Sequence, residues 1–139
     1  MHRVAPRSSY PLVHLELHTG AGAEARALYE ALCGWRAERV RTAAGSYLAL
    51  DMGAGGGAGG GAGAGAAVGA GVGGGIVDCA LERALWLPYV EVRCMQEALE
   101  RACAHGAAVL LGPREGPAGW RSVIATAAGG ELALWQAKR

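Results

Sequence analysis

Two histidines and a glutamate alternate near the start of the 139-residue chain, as His14, Glu16 and His18. Aliphatic residues fill the positions between them, and residues two apart in a β-strand point to the same face. The spacing therefore predicts a strand over residues 12–19 with one polar face and one face packed on a core. Imidazole and carboxylate groups exchange protons, bind metal ions and hydrogen-bond small molecules. These three residues are the leading candidates for a functional site.

The strand spacing limits what this polar row can do. Residues two apart along a strand are separated by roughly 6.6 Å and residues four apart by roughly 13 Å. His14 and His18 are therefore too far apart to share one metal ion, and at most one of them acts together with Glu16. A structural alternative stays open, in which the row is the polar face of a half-exposed strand and Glu16 is hydrogen-bonded to a neighbour.

A second alternating strand is predicted over residues 85–93 and repeats this design. Alignment of the two strands places Glu91 on Glu16, so each half of the chain begins with a strand that carries a central carboxylate. A buried carboxylate at Glu91 would need a partner such as His14 or Arg121. Symmetric packing where the halves meet is the alternative explanation of the match.

Each of these strands is followed by a segment whose apolar residues have helical spacing. The helices are predicted over residues 23–33 and 95–106, and further strands over 35–42, 46–52, 76–79, 107–111, 121–126 and 131–136, with a turn at 43–45. The sequence therefore predicts a βαβββ unit that occurs twice.

Residues 53–75 contain only Gly, Ala and Val. Such a segment loses much backbone entropy on ordering and buries little apolar surface in return, so the sequence predicts an expanded loop. The first module would then comprise residues 12–52 and 76–80, and the second residues 85–136. The tract has no Gly-Lys-Ser/Thr ending that would indicate a phosphate-binding loop.

Charge and cysteine spacing exclude several classes of function. The 13 basic and 12 acidic residues leave no electrostatic footprint for nucleic acid. The four cysteines form no Cys-x-x-Cys pair, so neither structural zinc nor a disulfide framework is predicted. The sequence contains no signal-peptide pattern and no long run of large aliphatic residues, which predicts a cytoplasmic protein without a membrane partner. Residues 1–11 are predicted to be a flexible leader.

Short motifs along both halves connect the chain to a known superfamily. They are His14-Leu15, Leu28-Tyr29 and Leu32-Cys33-Gly34-Trp35 in the first half, and Trp86, Tyr89-Val90-Glu91-Val92, Gly106-Ala107-Ala108-Val109, Gly112-Pro113, Gly129-Gly130 and Leu134-Trp135-Gln136 in the second. In these motifs the chain resembles the vicinal oxygen chelate superfamily, which contains glyoxalase I, bleomycin-resistance proteins and extradiol dioxygenases. The resemblance implies a single α+β domain over residues 12–139, with two βαβββ modules forming a curved, open-barrel mixed sheet and helices on its outer face.

The resemblance also implies four metal-ligand positions, on the first and last strands of both modules. His14 holds one of them. The others fall on Leu87 or Tyr89, on Ala133 and near Val77, so three of the four positions lack the usual ligand.

A displaced metal site is the alternative. Glu131 and Glu91 lie near the implied positions and share their parity, so both could reach inward beside His14 and Glu16. Among these, His14 and Glu131 are the candidate ligands nearest to the implied positions. Imidazole and carboxylate ligands would suit zinc, iron, manganese or nickel. No other cofactor is expected.

The leading functional hypothesis is a metal-independent protein that binds a small organic molecule in the cleft between the two modules. Its pocket would consist of His14, Glu16 and His18 on one wall and Tyr89, Glu91 and Trp135 on the other. Two alternatives stay open: a divalent-metal-dependent lyase, isomerase or dioxygenase of the vicinal oxygen chelate type, and a dimeric interaction module without catalysis. The resemblance also implies a homodimer, and no catalytic residue is assigned.

Overall fold

The computed structural model of the protein describes residues 10–42, 45–53, 72–80 and 84–138. Within these ranges the chain forms a βαβββ unit twice in succession. The elements are β1 (Leu12–Thr19), α1 (Gly22–Cys33), β2 (Arg36–Thr42), β3 (Gly45–Asp51), β4 (Gly73–Asp78), β5 (Leu85–Glu91), α2 (Met95–Ala104), β6 (Ala108–Glu115), β7 (Gly119–Ala125) and β8 (Glu131–Ala137). The predicted duplication is confirmed.

All eight strands belong to one mixed sheet in the order β2-β3-β4-β1-β5-β8-β7-β6. The first strands of the two modules, β1 and β5, pair antiparallel at its centre. Each of them also pairs in parallel with the last strand of its own module, β1 with β4 and β5 with β8. The sheet is open, because β2 and β6 end the order without pairing to each other. The predicted α+β class and its two-module architecture are confirmed.

Both helices pack on the same face of the sheet. Side chains of α1 cover a cluster formed by Leu17, Leu48, Leu50 and Ile76. Side chains of α2 belong to a second cluster, with Val92, Met95, Ala98, Ile124 and Leu134. Because successive residues of a strand point to opposite faces, Glu16 and its neighbours lie on the other face. We call this the inner face, defined by Glu16, Tyr89, Ala133 and Arg121.

The last part of the Gly/Ala tract is a strand, which corrects the predicted loop boundary. β4 begins at Gly73, three residues before the predicted strand, and its glycines pair with residues of β1. A Cβ atom at Gly74 would lie 2.7 Å from the Met52 side chain. Close packing therefore favours glycine here, and pairing with β1 supplies the order that composition alone did not predict. Residues 54–71 lie outside the described part of the chain.

The predicted leader also ends earlier than expected. Tyr10 packs against the cluster beneath α2, and the carbonyl oxygen of Pro11 accepts a hydrogen bond from the Glu91 amide at 3.0 Å. Residues 10 and 11 therefore belong to the folded domain. The rest of the predicted leader, residues 1–9, and two residues of the predicted turn, 43 and 44, lie outside the described residues.

β6 is longer than predicted and runs through Gly112 and Pro113 to Glu115. It lies at the edge of the sheet, where a proline is tolerated because no further strand needs its missing N–H. The four cysteines are free; Cys33 and Cys103 are exposed, and Cys79 and Cys94 are half-buried. Within the described ranges, neither helix has the length and apolar character needed to cross a membrane.

Candidate functional site

The Glu16 carboxylate lies at the centre of a buried hydrogen-bond network. The residue is only 3% exposed. Its Oε1 lies 2.8 Å from Nε2 of His18, and its Oε2 lies 3.3 Å from Nε2 of His14. Both histidines thus reach the same carboxylate, one at each of its oxygens. The prediction that the two histidines cannot share one metal ion concerns metal ligation, which these contacts do not test.

Tyr89 brings the second module into this network. It lies opposite His14 in the β1–β5 pairing, is fully buried, and donates its hydroxyl hydrogen to Oε1 of Glu16 at 2.8 Å. Nη1 of Arg121 donates to the same hydroxyl oxygen at 3.2 Å. We call His14, Glu16, His18, Tyr89 and Arg121 the Glu16 network. It connects three strands across the line where the modules meet.

The environment of Glu16 holds it ionised. Burial alone would raise the pKa of its carboxyl group, but the hydrogen bonds from His14 and His18, the charge of His14 and the Tyr89 hydrogen bond together lower that pKa well below the ordinary value of 4.5. Burial and then the charge of Glu16 raise the pKa of Tyr89 and of Tyr47. Both tyrosines therefore remain neutral hydroxyl groups around a carboxylate.

Arg121 carries the positive charge at the far end of the network. Burial lowers the pKa of its guanidinium, but the interaction with the Tyr89 oxygen, which accepts a hydrogen bond from it, and the charge of Glu16 outweigh this and raise it. Arg121 is partly exposed, as are Tyr47 and the His18 side chain, which is 21% exposed. A molecule that approaches the inner face would meet these three residues before it meets Glu16.

The glycines at the end of the Gly/Ala tract form the surface on which the His14 ring packs. A Cβ atom at Gly73 would lie 3.3 Å from Nδ1 of His14, and one at Gly75 would lie 3.5 Å from its Nε2. The imidazole therefore packs directly on the glycine backbone of β4. Nδ1 of His14 is buried and has no hydrogen-bond partner among the described residues. Because Nε2 faces Glu16, Nδ1 is the ring nitrogen left without a partner there.

Three predicted site residues lie outside this network. Trp135 is 6% exposed and packs with Leu87, Tyr89 and Ala133. Glu91 pairs with Trp135, one pleat beyond Tyr89 on β5. Glu131 pairs with Ala125. Within the described ranges, no hydrogen bond or ion pair joins Glu91 or Glu131 to the network.

The helices explain why Glu91 was wrongly matched to Glu16. α1 begins at residue 22 and α2 at residue 95, which gives an offset of 95 − 22 = 73 between the modules, whereas the sequence alignment used 75. An offset of 73 places Tyr89 on Glu16 and Leu87 on His14. A shift of two residues keeps every side chain on the same face, so the hydrophobic pattern cannot detect it. His14 and Arg121 were considered as partners for Glu91. In the structure, His14 contacts Glu16 and Arg121 contacts Tyr89, which is bonded to Glu16.

The residues present do not fit the metal site that the superfamily implies. Leu87 and Ala133 are buried apolar residues, and Glu16 already accepts hydrogen bonds on both carboxylate oxygens. No group of three or more His, Cys, Asp or Glu side chains in the described part of the chain is arranged to hold a metal ion. Within the described residues, His14 and Glu131 likewise belong to no such group, so the displaced metal site is not formed.

Tyr47 and the role of Arg121 beside Glu16 were missed from the sequence. Tyr47 lies on β3, on the inner face, because its neighbour Leu48 packs beneath α1. The only signal was parity within a predicted strand, and parity does not tell which distant strand lies alongside. The position of Arg121 beside the network follows only from the register of β7 and β8, in which Arg121 pairs with Trp135.

A separate cavity of about 270 Å³ lies between α1 and the opposite face of the sheet. It is lined by Leu17, Thr19, Ala21, Glu24, Ala25, Leu28, Tyr29, Ala84 and Trp86. None of these residues belongs to the Glu16 network, and the lining is mostly apolar. The cavity therefore lies away from the polar side chains of the Glu16 network.

Comparison with solved structures finds similar folds at low sequence identity. A hypothetical protein, BH1468, from Bacillus halodurans C-125 matches with a TM-score of 0.63 and 10% identity, over 95% of this chain and 97% of that chain. Methylmalonyl-CoA epimerase from Mycobacterium tuberculosis matches with a TM-score of 0.57 and 12% identity, over 92% and 88%. A glyoxalase/bleomycin resistance protein/dioxygenase superfamily member from Vibrio splendidus 12B01 matches with a TM-score of 0.53 and 12% identity, over 92% and 99%. No protein-family model and no curated protein matches the chain.

Proposed function

We propose that this chain, which has the fold of the vicinal oxygen chelate superfamily, binds a small organic molecule on the inner face between its two modules. The observation that carries the proposal is the Glu16 network, an ionised carboxylate surrounded by donors from both modules. His18, Arg121 and Tyr47 at its partly exposed edge offer an imidazole, a guanidinium and a hydroxyl group to a ligand.

The energetics of the network support a binding role. A buried ionised group has a large desolvation cost, and well-packed apolar residues of similar volume often give equal or greater stability. The partnerless Nδ1 of His14 adds the cost of a buried polar atom without a hydrogen bond. Polar groups retained for binding are often suboptimal for folding in this way.

A metal-free proton transfer is the second candidate, favoured by one specific contact. The Glu16 carboxylate orients the partly exposed His18 imidazole at 2.8 Å, an arrangement in which a carboxylate fixes the tautomer of a general base. His18 would then remove a proton from a carbon acid in a lyase or isomerase step. Solvent deuterium incorporated into a bound ligand, and lost in His18→Ala, would support this candidate.

We also propose that the protein forms a homodimer. Five large aliphatic side chains of the described residues are exposed: Leu12 at 44%, Leu28 at 54%, Leu32 at 72%, Val109 at 42% and Leu110 at 54%. Exposed apolar side chains in such number favour burial against a second copy. Sedimentation at micromolar concentration should give the mass of a dimer, and a monomer alone would contradict the proposal.

The binding proposal is tested by a thermal-shift screen of small organic molecules followed by calorimetric titration. For a ligand found in the screen, His18→Ala should weaken binding by about 10-fold, the effect of one lost hydrogen bond to a polar ligand. His105→Ala is the matched control, because His105 is exposed at the end of α2 on the opposite face. Equal affinities of wild type and His18→Ala, or a screen without any ligand, would contradict binding on the inner face.

A further inference from the structure

We propose that the inner face selects ligands that carry an oxyanion, a carboxylate or a phosphate, and that Arg114 and Arg121 together recognise this group. The inference rests on the proposed binding role of the inner face and specifies the chemical class of the ligand. The arginine pair itself was not among the residues that the sequence indicated.

The two arginines are direct partners in the pairing of β6 with β7. Side chains of directly opposed residues lie on the same face, with Cβ atoms about 4.5–5.5 Å apart, and like charges in this position destabilise the sheet. Both guanidinium groups can therefore reach one ligand, and an anion placed between them would be attracted to both.

The charge of Glu16 acts on Arg121 through the intervening Tyr89, but no acidic residue forms an ion pair with either arginine within the described ranges. Glu115 follows Arg114 in the chain but points to the opposite face, where it pairs with Lys138 at 2.7 Å. Glu91 is in the same cross-strand row but on the far side of Trp135. No ion pair joins Arg114 or Arg121 to a carboxylate within the described ranges. Arg114 is exposed and makes no hydrogen bond there either.

Arg121 is held in place for such a contact. Its Nη1 donates to the Tyr89 hydroxyl at 3.2 Å, and Tyr89 is in turn fixed by Glu16. A guanidinium has five N–H donors, so one hydrogen bond to Tyr89 leaves the others available to a carboxylate or phosphate. Arg121 would supply the oriented contact, and the exposed Arg114 would close on the anion from the other side.

The local charge fits an anion of modest size. Trp135 flanks Arg121 on β8, but both Trp135 and Tyr89 are buried, so a ligand would meet the arginines and not the aromatic rings. The net charge of the chain is only +1, so the positive charge is local to this pair and does not form a long basic stripe. A compact anion matches these features, and a polyanionic backbone does not.

The test uses probes that differ in charge but hardly in shape: benzoate and phenyl phosphate as anions, benzamide as the neutral analogue, and inorganic phosphate as the anion without an apolar body. Titrated into the wild-type protein at low salt, the better of the two aromatic anions should bind about 10-fold more tightly than benzamide. Added salt should reduce this difference. Whether benzoate or phenyl phosphate binds better distinguishes the carboxylate from the phosphate.

Arg114→Gln and Arg121→Gln should each reduce the affinity for the aromatic anion to about that for benzamide. Arg121→Lys, which keeps the charge but loses the planar donors, should recover only part of the affinity. Arg101→Gln, on an exposed position of α2, is the control and should bind like wild type. Arg114 is exposed, so its variant remains informative if the Arg121 variant unfolds.

The possible failures are distinct. Equal binding of benzamide and the anions, with no effect of the arginine variants, would overturn the charge selection and leave the binding role of the inner face intact. Anion binding that survives both substitutions would also overturn it. Binding of inorganic phosphate without either aromatic anion would contradict an organic ligand. Binding of no probe at all would count against both proposals.

Discussion

Tyr89 donates a hydrogen bond of 2.8 Å to Glu16, and these two residues lie 73 positions apart on the first strands of different modules. The contact joins the modules at the centre of the sheet. It places the buried Tyr89 hydroxyl between the ionised carboxylate of Glu16 and the guanidinium of Arg121. The same hydrogen bond therefore links the two modules and connects Glu16 to Arg121 through the Tyr89 hydroxyl.

Replacing Tyr89 by phenylalanine should destabilise the protein by about 1–3 kcal/mol, because Glu16 loses a donor and Arg121 an acceptor while both are partly or fully buried. Urea denaturation measures the loss. Tyr29→Phe is the control, since the Tyr29 ring packs on Trp35 and Trp86 while its hydroxyl makes no hydrogen bond within the described residues. Equal losses for the two substitutions would show that the hydroxyl of Tyr89 has no special role.

Glu16 should make stability depend on pH in the acid range. Its folded-state pKa is depressed below the ordinary 4.5, so the unfolded chain binds the proton first. Its contribution is therefore present above about pH 4.5 and is lost as the pH falls toward the folded-state value. The difference in unfolding free energy between wild type and Glu16→Gln, measured by denaturation at several pH values, should shrink below this point. A difference that does not change with pH would refute the ionised state of Glu16.

The packing of β4 should make its glycines sensitive to substitution. A Cβ atom at Gly74 would lie 2.7 Å from Met52 Cε, the movable end of a flexible side chain, and 3.2 Å from Leu50 Cβ, which is fixed to the backbone, so Gly74→Ala should cost about 1 kcal/mol by overpacking. At Gly112 a Cβ atom would meet nothing within 4 Å, and Gly112→Ala should have little effect. Thermal unfolding compares the two variants, and a neutral Gly74→Ala would contradict the strand packing.

Two deletions within the Gly/Ala tract should have opposite outcomes. Removal of residues 55–70 retains β4 and should leave cooperative unfolding intact. Removal of residues 55–75 also deletes the three glycines that pair with His14, Leu15 and Glu16, and should abolish cooperative unfolding or strongly reduce stability. Circular dichroism melts distinguish these results. Equivalent behaviour of the two deletions would mean that Gly73–Gly75 pairing does not support the fold.

The alternation of His14, Glu16 and His18 with aliphatic residues was sufficient to predict the first strand, its polar face and the repeated βαβββ unit. These features depend on periods of two and 3.6 residues, which are local properties of the sequence. The resemblance carried by short motifs then led to the correct fold. The same patterns could not show that Gly73 begins a strand, because its order comes from pairing with β1 and from the close approach of His14.

The identity of the residues that meet Glu16 was decided only by the tertiary structure. Glu91 and Tyr89 have the same parity on β5, and parity does not show which of them meets Glu16. The antiparallel register of β1 and β5, which places Tyr89 opposite His14, decides this. The choice depends on the packing of both helices against the sheet and on the pairing of strands far apart in the chain. Arg121 reaches the network for the same reason, since its position opposite Trp135 is set by the register of β7 and β8 and by no local pattern.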